Sequence, residues 1–287
     1  MLICAGTGIT VFAGVGGGAR LVGERGARSM GGFLNRIVNH SVWDWHENDG
    51  DHSYDYEDHE YDDHDDHNYD DYVYSDEGMT LSEEDMPDMP KISKDGMTLA
   101  ATYDGVTGLK VSASHARVKV VENPQLNNQT AIYVREKKNS GVRHKTEGGE
   151  LEIDYYSEIN KQSYVEGIVE IPAGYTFRLA ELDAEAGTIE AERINAEELE
   201  LSADAGCIRA AGDASKRLKA EADAATVEFT SDGKKEDFNY EIEENVGTVQ
   251  IGGESYTGMF VEKTIDNKAA KTAKLESDAG AVKINFR

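Results

Sequence analysis

Histidine and aspartate side chains crowd one short stretch of the chain, and these residue types could bind a metal ion. The stretch contains His46, His52 and His59, followed by Asp62-Asp63-His64-Asp65-Asp66-His67. Imidazole and carboxylate groups together suit Zn²⁺ or Ni²⁺. No ligand spacing recurs, however, and residues 44–78 have too few aliphatic side chains to offset the entropy cost of ordering. The tract is therefore either a metal-binding segment or a solvated acidic spacer, and the spacer is favoured.

A second set of carboxylates recurs at one position of a repeated segment. Five copies of the segment begin at Leu182, Leu201, Ala220, Ile242 and Leu275, and the residues three positions later are Glu185, Asp204, Asp223, Asn245 and Asp278. If the copies stack, these side chains become outward neighbours about 5 Å apart. Ca²⁺ could bridge such a row, because its ligands are oxygens. Alternatively each acid caps its own bend, which is the favoured interpretation because Asp readily bonds turn backbone.

The same segments predict the elements that must position these acids. Small or apolar residues alternate with polar ones in each copy, which is typical of a half-buried strand. A glycine interrupts the alternation at Gly187, Gly206, Gly247 and Gly280. Glycine tolerates positive φ, so we expect a bend there. Units of strand, bend and strand that recur about every 20 residues predict a β-solenoid. The period of two argues against an amphipathic helix, despite the abundance of Ala, Glu and Leu.

The repeats also resemble a known family. The pattern Ala-Gly-x-Ile/Val, the segment 164–174 and the final strand 280–286 are similar to the bacterial DUF4097/DUF2807 group of adhesin-like proteins. The resemblance covers about residues 97–287. It implies a single-stranded, right-handed β-helix in a cell-envelope protein that is tethered by an N-terminal membrane segment. It brings no catalytic residues, and the handedness comes from the resemblance alone.

Composition divides the chain into four predicted regions. Residues 1–19 form a candidate membrane segment, because 1–18 carry no charge, although six glycines make the segment weakly hydrophobic. Residues 20–43 follow as a juxtamembrane segment. Residues 44–96 are predicted to form a disordered acidic linker, since 44–90 contain 20 Asp or Glu and no Lys or Arg. Residues 97–287 form the predicted solenoid.

The charge balance and the motifs limit the possible functions. A net charge of −27 argues against nucleic-acid binding, which needs a basic surface. No nucleophile elbow, P-loop or zinc-protease motif occurs, so we expect neither an enzyme nor a required cofactor. A polysaccharide-active β-helix would need a basic cluster beside the acids, and the candidates do not form one clearly: Arg193, Arg209, Lys216, Arg217 and Lys219.

The sequence therefore predicts a non-catalytic scaffold that binds a protein or glycan of the bacterial cell envelope. We expect a membrane-anchored protein with an extracytoplasmic solenoid. Two alternatives stay open. One is a metal-responsive surface protein that uses Zn²⁺ or Ni²⁺ in the His/Asp tract, or Ca²⁺ in the acid positions of the repeats. The other is a polysaccharide-active β-helix.

Overall fold

A computed structural model describes residues 91–135, 140–157 and 164–287. Within these ranges the chain forms seventeen strands, one short 3₁₀ helix at Lys235–Asp237 and no α-helix, which confirms the all-β class. The strands are β1 Thr98–Asp104, β2 Gly108–Ser114, β3 Ala116–Asn123, β4 Gln129–Arg135, β5 Ser140–Glu147, β6 Glu150–Ser157, β7 Val165–Pro172, β8 Thr176–Ala184, β9 Thr188–Ala203, β10 Cys207–Ala222, β11 Thr226–Ser231, β12 Phe238–Glu244, β13 Thr248–Ile251, β14 Glu254–Thr257, β15 Val261–Ile265, β16 Lys271–Ser277 and β17 Ala281–Phe286.

Most strands pair in parallel and form two ladders. Ladder A contains, in spatial order, β6, β2, β8, the second half of β9, the second half of β10, β16 and β12. Ladder B contains β7, β3, the first half of β9, the first half of β10, β11, β17 and β13. One ladder-A strand, a bend and the following ladder-B strand form a repeat. The described residues contain six such repeats, and β6 and β7 are a further pair of ladder strands whose connection lies outside the described ranges.

The order of the repeats in space differs from their order in the chain. The β16–β17 repeat lies between β10–β11 and β12–β13, so the copy at Leu275 aligns with Ala220 on one side and Ile242 on the other. The β2–β3 repeat likewise lies between β6–β7 and β8–β9. Stacking therefore departs from the order of the repeats in the sequence at both ends. Although β2 and β3 are consecutive in the chain, they do not pair with each other, because each pairs within its own ladder.

The core lies between the inward faces of the two ladders. In β8, Ala180, Leu182 and Ala184 are buried while the residues between them are partly exposed, as strand alternation requires. The residue before each bend of ladder A is small in the middle of the stack: Ala113, Ala184, Ala203 and Ala222 are buried and in register. Tyr155 occupies this position at one end of the column and Glu244 at the other. Alanines therefore keep the core narrow next to the bends.

Backbone hydrogen bonds also connect the bends of neighbouring repeats. Cys207 N–H donates to Gly187 O at 3.0 Å, and Ala224 N–H donates to Asp204 O at 2.8 Å. A Cβ atom on Gly206 would lie 2.4 Å from Gly187 O. Glycine at position 206 therefore allows the close approach of the adjacent backbone. The expected positive φ is wrong, because Gly187, Gly206, Gly247 and Gly280 are absent from the positive-φ residues.

Antiparallel strands cover the outer strands of both ladders. On one side, β5 pairs with β6, and β4 pairs with both β7 and β1. On the other side, β15 pairs with β12 and β14 pairs with β13. Such coverage limits the edge available for pairing with another chain. Within the described ranges, no helix has the length and apolar character needed to cross a membrane.

Candidate interaction surface

The outward face of ladder A carries two parallel rows of acidic side chains. The first, called the acid row, contains the predicted residues in the order Glu185, Asp204, Asp223, Asp278 and Asn245. The second, called the strand row, lies two residues earlier and contains Asp154, Ser112, Asp183, Ser202, Glu221, Glu276 and Glu243. Rows are about 7 Å apart, and neighbours within a row are about 4.8 Å apart. Neither row contains a Lys or Arg among the described residues, although Lys219 and Lys274 of the adjacent row pair with Glu221 and Glu276 of the strand row.

The predicted acid positions do become neighbours, although in an order the sequence did not indicate. Asp278 lies between Asp223 and Asn245, because Ala279 N–H donates to Asp223 O and Val246 N–H donates to Asp278 O. At one end, Ser114 Oγ donates to Glu185 Oε2 at 2.8 Å. At the other, Asn245 Nδ2 donates to Asp278 Oδ1. Polar neutral side chains therefore flank the acids at both ends of the row.

Crowding of like charge is strongest where the two rows meet. Asp183 is partly buried, and this burial together with Glu185 and Asp204 raises its pKa to about 6, with Lys110 opposing the change. Burial also raises the pKa of Asp154, with Arg143 opposing and Glu185 adding to it. The strand row was missed by sequence reasoning. The signal was present, because Asp183, Glu221, Glu243 and Glu276 occupy one common position of the repeat.

The structure leaves metal binding at these positions as a prediction. Among the residues that the structure describes, no group of three or more His, Cys, Asp or Glu is placed to hold a metal ion. The histidines and aspartates of residues 46–67 lie outside the described ranges, as do the candidate segments 1–19 and 20–43. At the end of the predicted linker, Lys94 Nζ lies 2.6 Å from Glu170 Oε1.

The basic residues considered for a catalytic cluster all have acidic partners. On ladder A, Arg217 Nη2 lies 2.8 Å from both Glu198 and Glu200, and Lys219 Nζ lies 2.9 Å from Glu221. The three others pair as Lys216 with Glu197, Arg209 with Glu228, and Arg193 with Asp232. These cations are distributed over several repeats, so they form charge-balancing pairs and no single basic centre.

The outward face of ladder B has a different charge pattern. One row reads Lys119, Glu190, Arg209, Glu228, Lys283 and Gln250 across six repeats, so its charges alternate. Glu228 is the best connected of these residues. Its carboxylate lies 3.0 Å from Arg209 Nε and 3.8 Å from Lys283 Nζ, and it accepts a hydrogen bond from Asn285. Ladder B therefore neutralises its own charge across the repeats.

One acid faces inward and was also missed by sequence reasoning. Glu244 ends the alanine column, is only 3% exposed, and is in register with Ser277 and Val261. Burial raises the pKa of Glu244 to about 7, with the backbone N–H of Gly258 opposing the change. The alternation of Ile242, Glu243 and Glu244 contained the signal, because it assigns Glu244 to the buried face.

Comparisons with known proteins give two distant structural likenesses. No family model matches the chain, and no curated protein matches it. A crystal structure described as a "putative cell adhesion protein" from Clostridium sporogenes ATCC 15579 is 13% identical, with a TM-score of 0.39, and the match covers 67% of this chain and 100% of that one. A "putative adhesin" from Bacteroides fragilis NCTC 9343 is 10% identical, with a TM-score of 0.27 and coverage of 66% and 97%. Similarity at this level does not define a family for the chain.

Proposed function

We propose that residues 97–287 form a non-catalytic β-solenoid that acts as an adhesin-like interaction surface at the bacterial cell envelope. Under this proposal the domain is a single-stranded β-helix of the DUF4097/DUF2807 type. The function is carried by one observation, the two adjacent acidic rows on ladder A that contain no basic side chain. A periodic surface of this kind suits an extended partner.

The charge of the rows determines the chemistry of the proposed partner. Stacked carboxylates repel one another, and a partner that brings positive charge relieves this repulsion. The partner is therefore a cationic segment of an envelope protein, or a glycan bridged to the rows by Ca²⁺. A second function, binding of Zn²⁺ or Ni²⁺ by the tract that contains His64 and His67, is supported by sequence alone.

Isothermal titration of the full chain tests these roles. The titrants are an oligolysine peptide, Ca²⁺, Zn²⁺ and Ni²⁺, and the main variant carries Asp204→Asn with Asp223→Asn. A matched control carries Glu190→Gln with Glu192→Gln near ladder B, which removes the same charge elsewhere. Loss of oligolysine or Ca²⁺ binding in the ladder-A variant, with binding kept in the control, is the expected result.

Other outcomes would redirect the proposal. Equal loss of binding in both variants would indicate a general effect of net charge and would overturn the role of the rows. Saturable Zn²⁺ or Ni²⁺ binding that survives both double substitutions and disappears when residues 44–78 are deleted would favour the metal-binding function. Absence of binding by every titrant would contradict both functions.

A further inference from the structure

A groove of about 430 Å³ lies between two turns at the end of ladder B. One turn, 124–128, connects β3 to β4, and the other, 173–175, connects β7 to β8. The turns are adjacent because Asn123 and Pro172 are in register in the β3–β7 pair. This turn groove is separate from the acidic rows. Its volume lies in the range of small-ligand sites, about 300–1,000 Å³.

Hydrogen bonds hold both sides of the turn groove in place. The Glu122 carboxylate accepts a bond from Gly174 N–H at 2.7 Å, so a strand residue of one repeat fixes the turn of its neighbour. On the other side, Asn123 Oδ1 accepts a bond from Gln125 N–H at 2.9 Å, and Asn128 O accepts one from Gly105 N–H at 3.0 Å. The turn groove is therefore preformed, which lowers the entropy cost of binding a ligand.

The lining combines one aromatic ring with unpaired amide groups. The Tyr175 ring lies edge-on against Phe177, with centroids 5.0 Å apart, and is half-buried. On the other turn, Asn127 and Asn128 are exposed, and their side-chain amides have no hydrogen-bond partner among the described residues. Each amide offers both donors and an acceptor. In the part of the chain that the structure describes, no charged side chain lines the turn groove.

These features select one chemical class of ligand. An ionic ligand would find no opposite charge in the lining, and a purely apolar ligand would leave the amides unpaired. A sugar ring has an apolar face of C–H groups that can lie on an aromatic ring, and hydroxyls at its edge that bond to amides. We propose that the turn groove is a subsite for a neutral sugar unit of a glycan. This site goes beyond the acidic rows and does not depend on them.

Saturation-transfer-difference NMR on the full chain tests the proposal directly. The probes are cellotriose, maltotriose and triacetylchitotriose, with trigalacturonic acid as the charged comparison. At least one neutral trisaccharide should bind and should be preferred to the charged one. Tyr175→Ala should weaken binding about tenfold or more, whereas Tyr175→Phe should retain it, because the ring provides the contact surface. Tyr164→Ala, an exposed tyrosine outside the groove, should leave binding unchanged.

A second variant distinguishes loss of sugar binding from a defect in folding. Tyr175 also packs on Phe177, so its removal could disturb the β7–β8 turn. The double variant Asn127→Ala with Asn128→Gly removes both exposed amides, and glycine accepts the φ of 140° at position 128, so the turn is kept and binding should weaken several-fold. Asp204→Asn with Asp223→Asn should bind sugar like the wild type, which separates this site from the proposed function of the rows.

Three results would overturn the sugar subsite. The first is that no neutral trisaccharide binds at concentrations up to about 10 mM. The second is that the wild type and the Asn127/Asn128 double variant bind sugar with equal affinity. The third is that the protein prefers trigalacturonic acid.

Discussion

Ladder A and ladder B share the same strand pairing and the same core, yet they distribute charge in different ways. Ladder B alternates Lys119, Glu190, Arg209, Glu228 and Lys283 along one row, so each repeat neutralises the next. Ladder A has two rows in which acids lie beside acids, serine or asparagine, and its Lys219 and Lys274 lie next to the strand row, where they pair with Glu221 and Glu276. Alternation favours cohesion between repeats, whereas accumulated like charge opposes it. Ladder B is therefore suited to holding the stack together, and ladder A to meeting a positively charged partner.

The bend that joins the ladders should show the largest effect. Gly206→Val places a branched side chain where even a Cβ would lie 2.4 Å from Gly187 O and 2.8 Å from Ala184 O. We expect a loss of at least about 3 kcal/mol in the free energy of unfolding, because the stacked backbones must separate. Chemical denaturation followed by circular dichroism measures this loss.

Two further substitutions in the same bend test whether the loss of stability depends on the size and position of the added side chain. Ala225 occupies the equivalent position in the next repeat, so one Cβ can be accommodated there. Gly206→Ala should therefore cost clearly less than Gly206→Val, and Ala205→Val, on an exposed residue of the same bend, should cost little. Equal stability of Gly206→Val and wild type would contradict the close approach of the bends.

Matched glutamate substitutions compare the two ladders directly. Glu228→Gln on ladder B removes the charge between Arg209 and Lys283, and the Glu228 side chain is only 14% exposed. We expect this substitution to lower the free energy of unfolding by about 2 kcal/mol. Glu221→Gln on ladder A removes one ion pair with Lys219 but also relieves repulsion within the strand row. Because these effects oppose each other, we expect the free energy of unfolding to change by no more than about 0.5 kcal/mol. Thermal denaturation of both variants measures the difference, and a larger cost for Glu221→Gln would reverse the comparison.

The pH dependence of stability should show a smaller effect than the Glu228→Gln substitution. The pKa of Asp183 in the folded chain is about 6, above its ordinary value of 3.8, so the folded state holds this proton more tightly than the unfolded state. Its contribution to stability is therefore present at low pH and is lost as pH rises from about 4 through 6. Asp183→Asn should remove this loss, and above pH 6 it should increase the free energy of unfolding by on the order of 1 kcal/mol. Parallel stability curves for the two proteins between pH 4 and 7 would show that Asp183 is not crowded by like charge.

The local structure of the repeats was predictable from sequence. Alternating small and polar residues gave the strands and their buried faces, as Leu182 and Leu201 show, and the common position of Glu185, Asp204 and Asp223 gave the acid row. These features were predictable because side-chain direction in a strand depends only on the period of two. The role of glycine at the bends was not predictable from sequence, because the close contact of Gly206 is with the carbonyl oxygen of Gly187, a residue 19 positions away.

The sequence by itself determined that this chain forms strands, where they bend, and which side chains face inward. Only the tertiary structure decided which repeats are neighbours. It placed Asp278 between Asp223 and Asn245, and it set the turn holding Tyr175 beside the one holding Asn128. The physical reason is that similar repeats offer nearly the same edge to one another, so local pattern cannot distinguish one partner from the next. The choice depends on long-range packing and on the strands that cover the two ends.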